Sequence, residues 1–307
     1  MNISENRFSQ SNLDSWDQDG AVLLPAFFES DEISGAYEDM EMLYGDRVKA
    51  DREALKAKND ANIGQVSIDQ FKNLADMPFP CSPALNLLGL HPQLIAFAQA
   101  ALGTEDVHLY QSHNWAKFTG DADYEQPFHC DFKNHTLTVP SDDVRQRTIN
   151  FMIYITDVTI ESGAIAYVPQ PDSNPITGED RSWFLGGDLE AQEQMVAQQK
   201  RAPGPAGSVF AYSIDVYHRG MNLLVPNAKR YTLTASYKAA GNDMIGWSAW
   251  PVDFLKPWHL ILNNANPEQL ACLGIPRPGD GFWTEKTLRR TQERWPDWDM
   301  SAYGTAL

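Results

Sequence analysis

From residue 106 onward the chain is written in short apolar runs cut by turn residues. The runs are Val107–Ser112, Asn114–Phe118, Thr136–Val139, Thr148–Ile155, Ala164–Val168, Ser208–Tyr212, His218–Met221 and Arg230–Tyr237. Many short strands at modest spacing favour a sandwich or jelly-roll barrel over a parallel α/β sheet. The expected fold class is therefore mainly β with flanking α-helices.

The segments on either side of 106–240 have a different texture. Within 1–105, Ser30 is placed to cap a helix in which Ile33, Ala36, Tyr37, Met40 and Tyr44 recur at helical spacing. Residues 84–102 carry a second apolar helical pattern, interrupted near Gly89 and Pro92 and ended by Gly103. The charged stretch from Gly45 to Ala61 reads as an exposed helix or loop. The polar stretch from Pro171 to Gln199 reads as a partly helical insertion between strands, of a length often used as a lid. Residues 241–307, rich in Trp and Pro, read as an irregular wrap with short helices. These parts compose a single domain over 1–307.

Bulk properties exclude some partners. A formal charge of −17 argues against nucleic acid or an anionic membrane surface. No uninterrupted run of about 18 apolar residues occurs, so no transmembrane helix is expected, and the N-terminus shows no signal peptide. Cys81, Cys130 and Cys272 are few, odd in number and far apart, which gives neither a disulfide framework nor a CxxC metal knuckle. A reduced, cytoplasmic location fits them.

The chemistry starts at Phe128-His129-Cys130-Asp131. On an extended strand, residues i and i+2 share a face, so His129 and Asp131 can reach one metal ion while Cys130 points away as a structural residue. HxD alone is a common string. With a second imidazole it becomes the 2-His-1-carboxylate triad, which holds one face of an octahedral Fe(II) and leaves three positions open. His218 follows the apolar run Ser208–Asp215 and supplies that imidazole. Twelve residues later Arg230 opens a strand, where a guanidinium is suited to grip a carboxylate bidentately. His113 and His135 are rival ligands that lack both the i+2 carboxylate and the downstream arginine.

Taken together these residues resemble the phytanoyl-CoA dioxygenase family of 2-oxoglutarate oxygenases, from Gln111 to about Tyr237. Leu13–Pro25 also looks like that family's opening strand. His129-Cys130-Asp131 matches its HxD, and Ile153–Asp157 its strand ending in Asp. Glu161-Ser162-Gly163-Ala164 with Val168-Pro169 resembles its "enG…(I/V)PGS" stretch. Ala206–Phe210 resembles its "aGd" strand and His218–Asn222 its "HgsgxN" segment, with Arg230 at the place of its 2-oxoglutarate-binding arginine. Two departures stand out. Pro169-Gln170-Pro171 replaces PGS, and Gly220 stands where some relatives carry a Ser that helps bind the cosubstrate.

The resemblance implies a double-stranded β-helix (cupin-like) core that uses Fe(II), 2-oxoglutarate and O2. It further implies oxidative decarboxylation to succinate and CO2, coupled to attack on an unactivated C–H bond of a small-molecule substrate. His129, Asp131 and His218 would hold the metal, and Arg230 the distal carboxylate of 2-oxoglutarate. Related halogenases have a small residue in place of the carboxylate, so Asp131 points to hydroxylation, desaturation or another oxidative outcome over halogenation. Asn150, Met152 and Tyr154 share one strand face. If that face is inward, Asn150 and Met152 flank the cosubstrate, and if not they are ordinary core. Gln111, Asn114 and Lys117 are further candidates to line the cavity, against turn or surface roles. Trp183, Tyr237 and Trp247 are candidates for an aromatic wall, against core packing. Two other functions stay open at this point: a silent binding relative of the same fold, and a metal-dependent hydrolase or isomerase with similar ligands.

Overall fold

A computed structural model describes residues 6–45, 71, 73–120, 125–131, 147–178, 185, 187–240 and 256–304. The expected strand Thr136–Val139 lies outside the described residues, as do His135, Trp183 and Trp247 and most of the charged stretch 45–61.

The strands are β1 (Ala21–Leu24), β2 (Leu74–Asp76), β3 (Val107–Phe118), β4 (Thr148–Tyr154), β5 (Ala166–Val168), β6 (Lys200–Arg201), β7 (Val209–Ser213), β8 (Tyr217–Arg219) and β9 (Lys229–Ala239). They form two antiparallel sheets. The larger runs β1-β7-β4-β9-β3-β2 and the smaller β6-β5-β8, and a bridge between His129 and His218 adds the 129 segment beside β8. From β3 the chain alternates between sheets: β3 in the larger, His129 in the smaller, β4 in the larger, β5 and β6 in the smaller, then β7, β8 and β9 in turn. This winding is the double-stranded β-helix.

Side-chain alternation sorts the larger sheet into two faces. Ile149, Phe151 and Ile153 of β4, Val209 and Ala211 of β7, and Tyr231, Leu233, Ala235 and Tyr237 of β9 join one core cluster, nearly all of them with no exposed surface. Helices cover this face: Gln10–Asp19, Ser30–Tyr44, Pro83–Leu88, Pro92–Leu102 and the short C-terminal helices beyond residue 258. Burying each large side chain there contributes roughly 1.5–3 kcal/mol. The alternate residues of the same strands face the smaller sheet. Tyr167 of β5 meets Phe210 at a ring-centroid distance of 4.9 Å, and Tyr212 meets His218 at 5.0 Å.

Several local expectations change. Val107–Phe118 is one strand, not two, because nothing between Ser112 and Asn114 breaks it; its irregularity is a register shift between Leu109 and Gln111. Glu29, not Ser30, caps the second helix, sharing a capping box with Glu32. The segment 13–25 is mostly helix, ended by the left-handed Gly20, and only Ala21–Leu24 is strand. By length and hydropathy Pro83–Leu102 resembles a membrane span. It is instead two helices broken at 89–91, with Leu85, Leu94, Phe97 and Ala98 fully buried in the core.

Candidate metal centre

His129, Asp131 and His218 are brought together at the mouth of the space between the sheets, their ligand atoms all within 4.8 Å of one another. The backbone does this directly. His129 and His218 form a mutual pair, N to O at 3.1 Å and 3.0 Å, so their side chains stand on the same face. Asp131 follows two residues after His129, and its N–H bonds to the carbonyl of Ile214 at 3.1 Å.

Both imidazoles are oriented alike. Nδ1 of His129 lies 2.9 Å from the carbonyl oxygen of Pro127 and Nδ1 of His218 lies 3.0 Å from that of Val216. A carbonyl only accepts, so each Nδ1 carries the proton and each Nε2 has a lone pair. The two Nε2 atoms face the carboxylate, 3.7 Å and 3.5 Å from Asp131. Burial, then the neighbouring His218, holds the His129 pKa down at about 4, which keeps the ring a neutral ligand. Two imidazole nitrogens and one carboxylate suit Fe(II), and they occupy only one side of an ion.

Arg230 lines the same cavity, of about 170 Å³, as the triad. Its guanidinium donates to the carbonyl of Gly163, and no carboxylate pairs with it among the described residues. Burial lowers its pKa to about 10, still cationic at neutral pH. Gly163 is required for this contact. Its φ is +81°, and an added Cβ would lie 2.7 Å from the Asn222 carbonyl and 2.8 Å from the guanidinium.

The other candidates divide by strand parity. Met152 and Gln111 line the cavity beside the triad, as does His113, which stands on the wall outside the cluster. Gln111 donates to Ser236 at 3.1 Å, and its buried Oε1 has no hydrogen-bond partner among the described residues. Asn150 faces inward but is fully buried behind the cavity, accepting from Tyr110 at 3.3 Å. Two expectations are corrected. Asn114 points to the opposite face, where it accepts from Tyr44 at 2.7 Å. Tyr237 also lies on that face, donating to Gly89 at 2.7 Å, and builds no wall of the site. Lys117 is buried with its ammonium 4.8 Å from the Trp115 ring. Cys130 packs in the core away from the metal side, as expected, and none of the three cysteines forms a disulfide among the described residues.

Sequence reasoning missed several walls: Trp115, Gln126, Ile165, Tyr212 and Thr234. Alternation along β3 and β9 would have given Trp115 and Thr234, since they keep parity with Gln111 and Arg230. Tyr212 is buried, and its hydroxyl hydrogen-bonds Asp131; burial foremost, then that carboxylate, raises its pKa well above normal. One described helix of the insertion packs behind the site: Leu189–Gln198 places Ala191 and Met195 behind the smaller sheet. Gln192 accepts from the amide of Phe128 at 3.0 Å and donates to its carbonyl at 3.2 Å, bracing the HxD segment from behind.

A jelly roll carrying this donor set belongs among the non-haem metalloenzymes. The family is narrower: the model for phytanoyl-CoA dioxygenase (PhyH) matches residues 16–223. The chain therefore belongs to the phytanoyl-CoA dioxygenase family, one of Fe(II)- and 2-oxoglutarate-dependent oxygenases. No curated protein sequence matches it. Among solved structures it is similar to the non-haem α-ketoglutarate-dependent carbocyclase SnoK from nogalamycin biosynthesis, at 19% identity and TM-score 0.56 over 76% of this chain and 85% of that one. It is similar to EctD from S. alaskensis with 2-oxoglutarate and 5-hydroxyectoine, at 18% identity and TM-score 0.55 over 79% of each chain. The epimerase SnoN, with Fe3+, α-ketoglutarate and nogalamycin RO, gives 16% identity and TM-score 0.55 over 75% and 83%. At these identities the likeness is one of fold.

Proposed function

We propose that the chain is an Fe(II)- and 2-oxoglutarate-dependent dioxygenase that hydroxylates a small molecule, with the whole of 1–307 serving as one catalytic domain. The observation that carries this reading is the buried Arg230, a cation with no described acidic partner, across a small cavity from three metal-type ligands. An isolated buried charge is costly unless something pairs with it. A dicarboxylate that reaches the metal at one end and the guanidinium at the other meets that need. Oε1 of Gln111 and Nδ2 of Asn150, buried and without partners among the described residues, are further polar atoms that suit polar cargo in this space.

In this reading Nε2 of His129, Nε2 of His218 and a carboxylate oxygen of Asp131 hold the metal. Arg230 binds the distal carboxylate of 2-oxoglutarate by paired charge-assisted hydrogen bonds. Met152 and Gln111 flank the cosubstrate, and Asn150 supports it from the layer behind. Fe(II), with 2-oxoglutarate and O2, supplies the power to oxidise an unactivated C–H bond as 2-oxoglutarate becomes succinate and CO2. Tyr212 fixes the Asp131 carboxylate, and Ile165 gives the cavity an apolar wall. Asp131 fills the place that a halide would need, which favours hydroxylation over halogenation. The three cysteines, none of them in a disulfide among the described residues, support a reducing, cytoplasmic setting.

The test is succinate formation by the purified chain supplied with Fe(II), 2-oxoglutarate and O2. Slow turnover without added substrate is expected, and its loss in His129→Ala and Asp131→Ala. Turnover retained in either variant excludes the triad. A metal-dependent hydrolase would keep its activity in Arg230→Met.

A further inference from the structure

We propose that Gln126 is a positioning residue for His129, a role that rests on the metal site proposed above. The mutual hydrogen bonds between His129 and His218 define one closely bonded pair of an antiparallel ladder. The next such pair lies two residues along each strand, which sets Pro127 opposite Gly220. Pro127 has no N–H to give. Its carbonyl is also engaged elsewhere, 2.9 Å from Nδ1 of His129.

Gln126 makes both bonds that Pro127 does not. Its backbone N–H donates to the Gly220 carbonyl at 3.1 Å, and its side-chain Oε1 accepts from the Gly220 N–H at 2.8 Å. The Gly220 amide, satisfied in this way, does not compete for the Pro127 carbonyl. That carbonyl is left to hold the Nδ1 proton of His129, which fixes the ring and the tautomer that turns Nε2 toward the metal. The clip also explains the glycine. A Cβ at 220 would lie 2.8 Å from Oε1 of Gln126, so the carboxamide fills the space a side chain at 220 would need. Gln126 and Gly220 both border the triad cavity. The two positions are thus one device: a side chain at 126 that bonds the backbone at 220, and no side chain at 220.

Co(II) affinity measured by calorimetry on the full chain tests this, with thermal melting to verify folding. Gln126→Ala removes the acceptor, and metal affinity should fall roughly 10- to 100-fold, the usual cost of losing an outer-shell partner of a ligand. Gln126→Glu keeps an acceptor oxygen and should stay within about threefold of wild type on the same basis. Gly220→Ala, with Gln126 intact, should lose affinity as Gln126→Ala does, and the double variant should lose no more than either alone. Wild type that binds Co(II) beside a Gln126→Ala variant that binds it equally well overturns the role, as does a Glu variant as weak as the Ala one. Additive losses in the double variant would also overturn it. Wild type that binds no Co(II) overturns the metal-site reading itself.

Discussion

Replacing Arg230 with Met separates the proposed cosubstrate site from the fold that carries it. Arg230 is only 8% exposed, and the described partner of its guanidinium is a neutral carbonyl. In the free protein the charge is therefore desolvated without an opposite charge, a situation that costs stability. Met has a similar apolar length and removes that cost, which should at least offset the donor lost to the Gly163 carbonyl, so the melting temperature should hold or rise. Cosubstrate binding should move the other way. Removing one member of a buried charged pair costs about 2–5 kcal/mol, which is roughly 30-fold to several thousand-fold in Kd. Arg230→Lys should recover little of it, because an ammonium lacks the planar fork that grips a carboxylate at two points. The assay is calorimetry of 2-oxoglutarate on Co(II)-loaded protein, paired with thermal melting. An unchanged Kd in Arg230→Met would refute the reasoning. So would a fall in melting temperature that matched the loss of binding, since it would make Arg230 a structural residue.

Three further outcomes follow from other residues. Gly163→Ala forces a side chain onto a left-handed backbone and against the guanidinium; it should destabilise by at least about 1–2 kcal/mol and weaken 2-oxoglutarate binding, read by melting and calorimetry. Tyr237→Phe leaves the buried Gly89 carbonyl without its donor; it should cost about 1–3 kcal/mol in urea unfolding while 2-oxoglutarate affinity stays unchanged, since the ring lies on the other face of the sheet. For Glu32, burial pushes the pKa up, but the hydrogen bond and charge of Arg7, the Glu29 amide and His91 bring it from 4.5 down to about 2. A depressed folded pKa gives stability that is present above the unfolded value and lost as pH falls through the folded one. Thermal stability should therefore decline between about pH 4.5 and pH 2, and Glu32→Gln should flatten that decline; an unaltered pH profile would refute the assignment.

The metal pair was readable because it is local: i and i+2 on an extended segment share a face whatever the rest of the chain does. The inward face of β4 was readable for the same reason, with Asn150, Met152 and Tyr154 opposed to Ile149, Phe151 and Ile153. Errors arose where that rule was dropped. Gln111, Asn114 and Lys117 are three apart, a helical spacing, and a strand cannot turn all three to one side. Tyr237 is seven residues from Arg230, so it must face the opposite way. Strand parity says which side a residue faces but not how deep it sits, so it could not separate Met152 in the cavity from Asn150 behind it. The braces at Gln192 and Gln126 depend on which backbone groups another segment leaves unpaired, and no pattern in either residue's own neighbourhood records that.

The central claim is that one metal and one 2-oxoglutarate share this cavity, bound between the triad and Arg230. Calorimetry of 2-oxoglutarate into the protein with and without Co(II) tests it most directly. The account predicts one equivalent of 2-oxoglutarate bound only when metal is present, with binding lost in Asp131→Ala and in Arg230→Met. No binding by the metal-loaded wild type, or equal binding by metal-free protein, would contradict it.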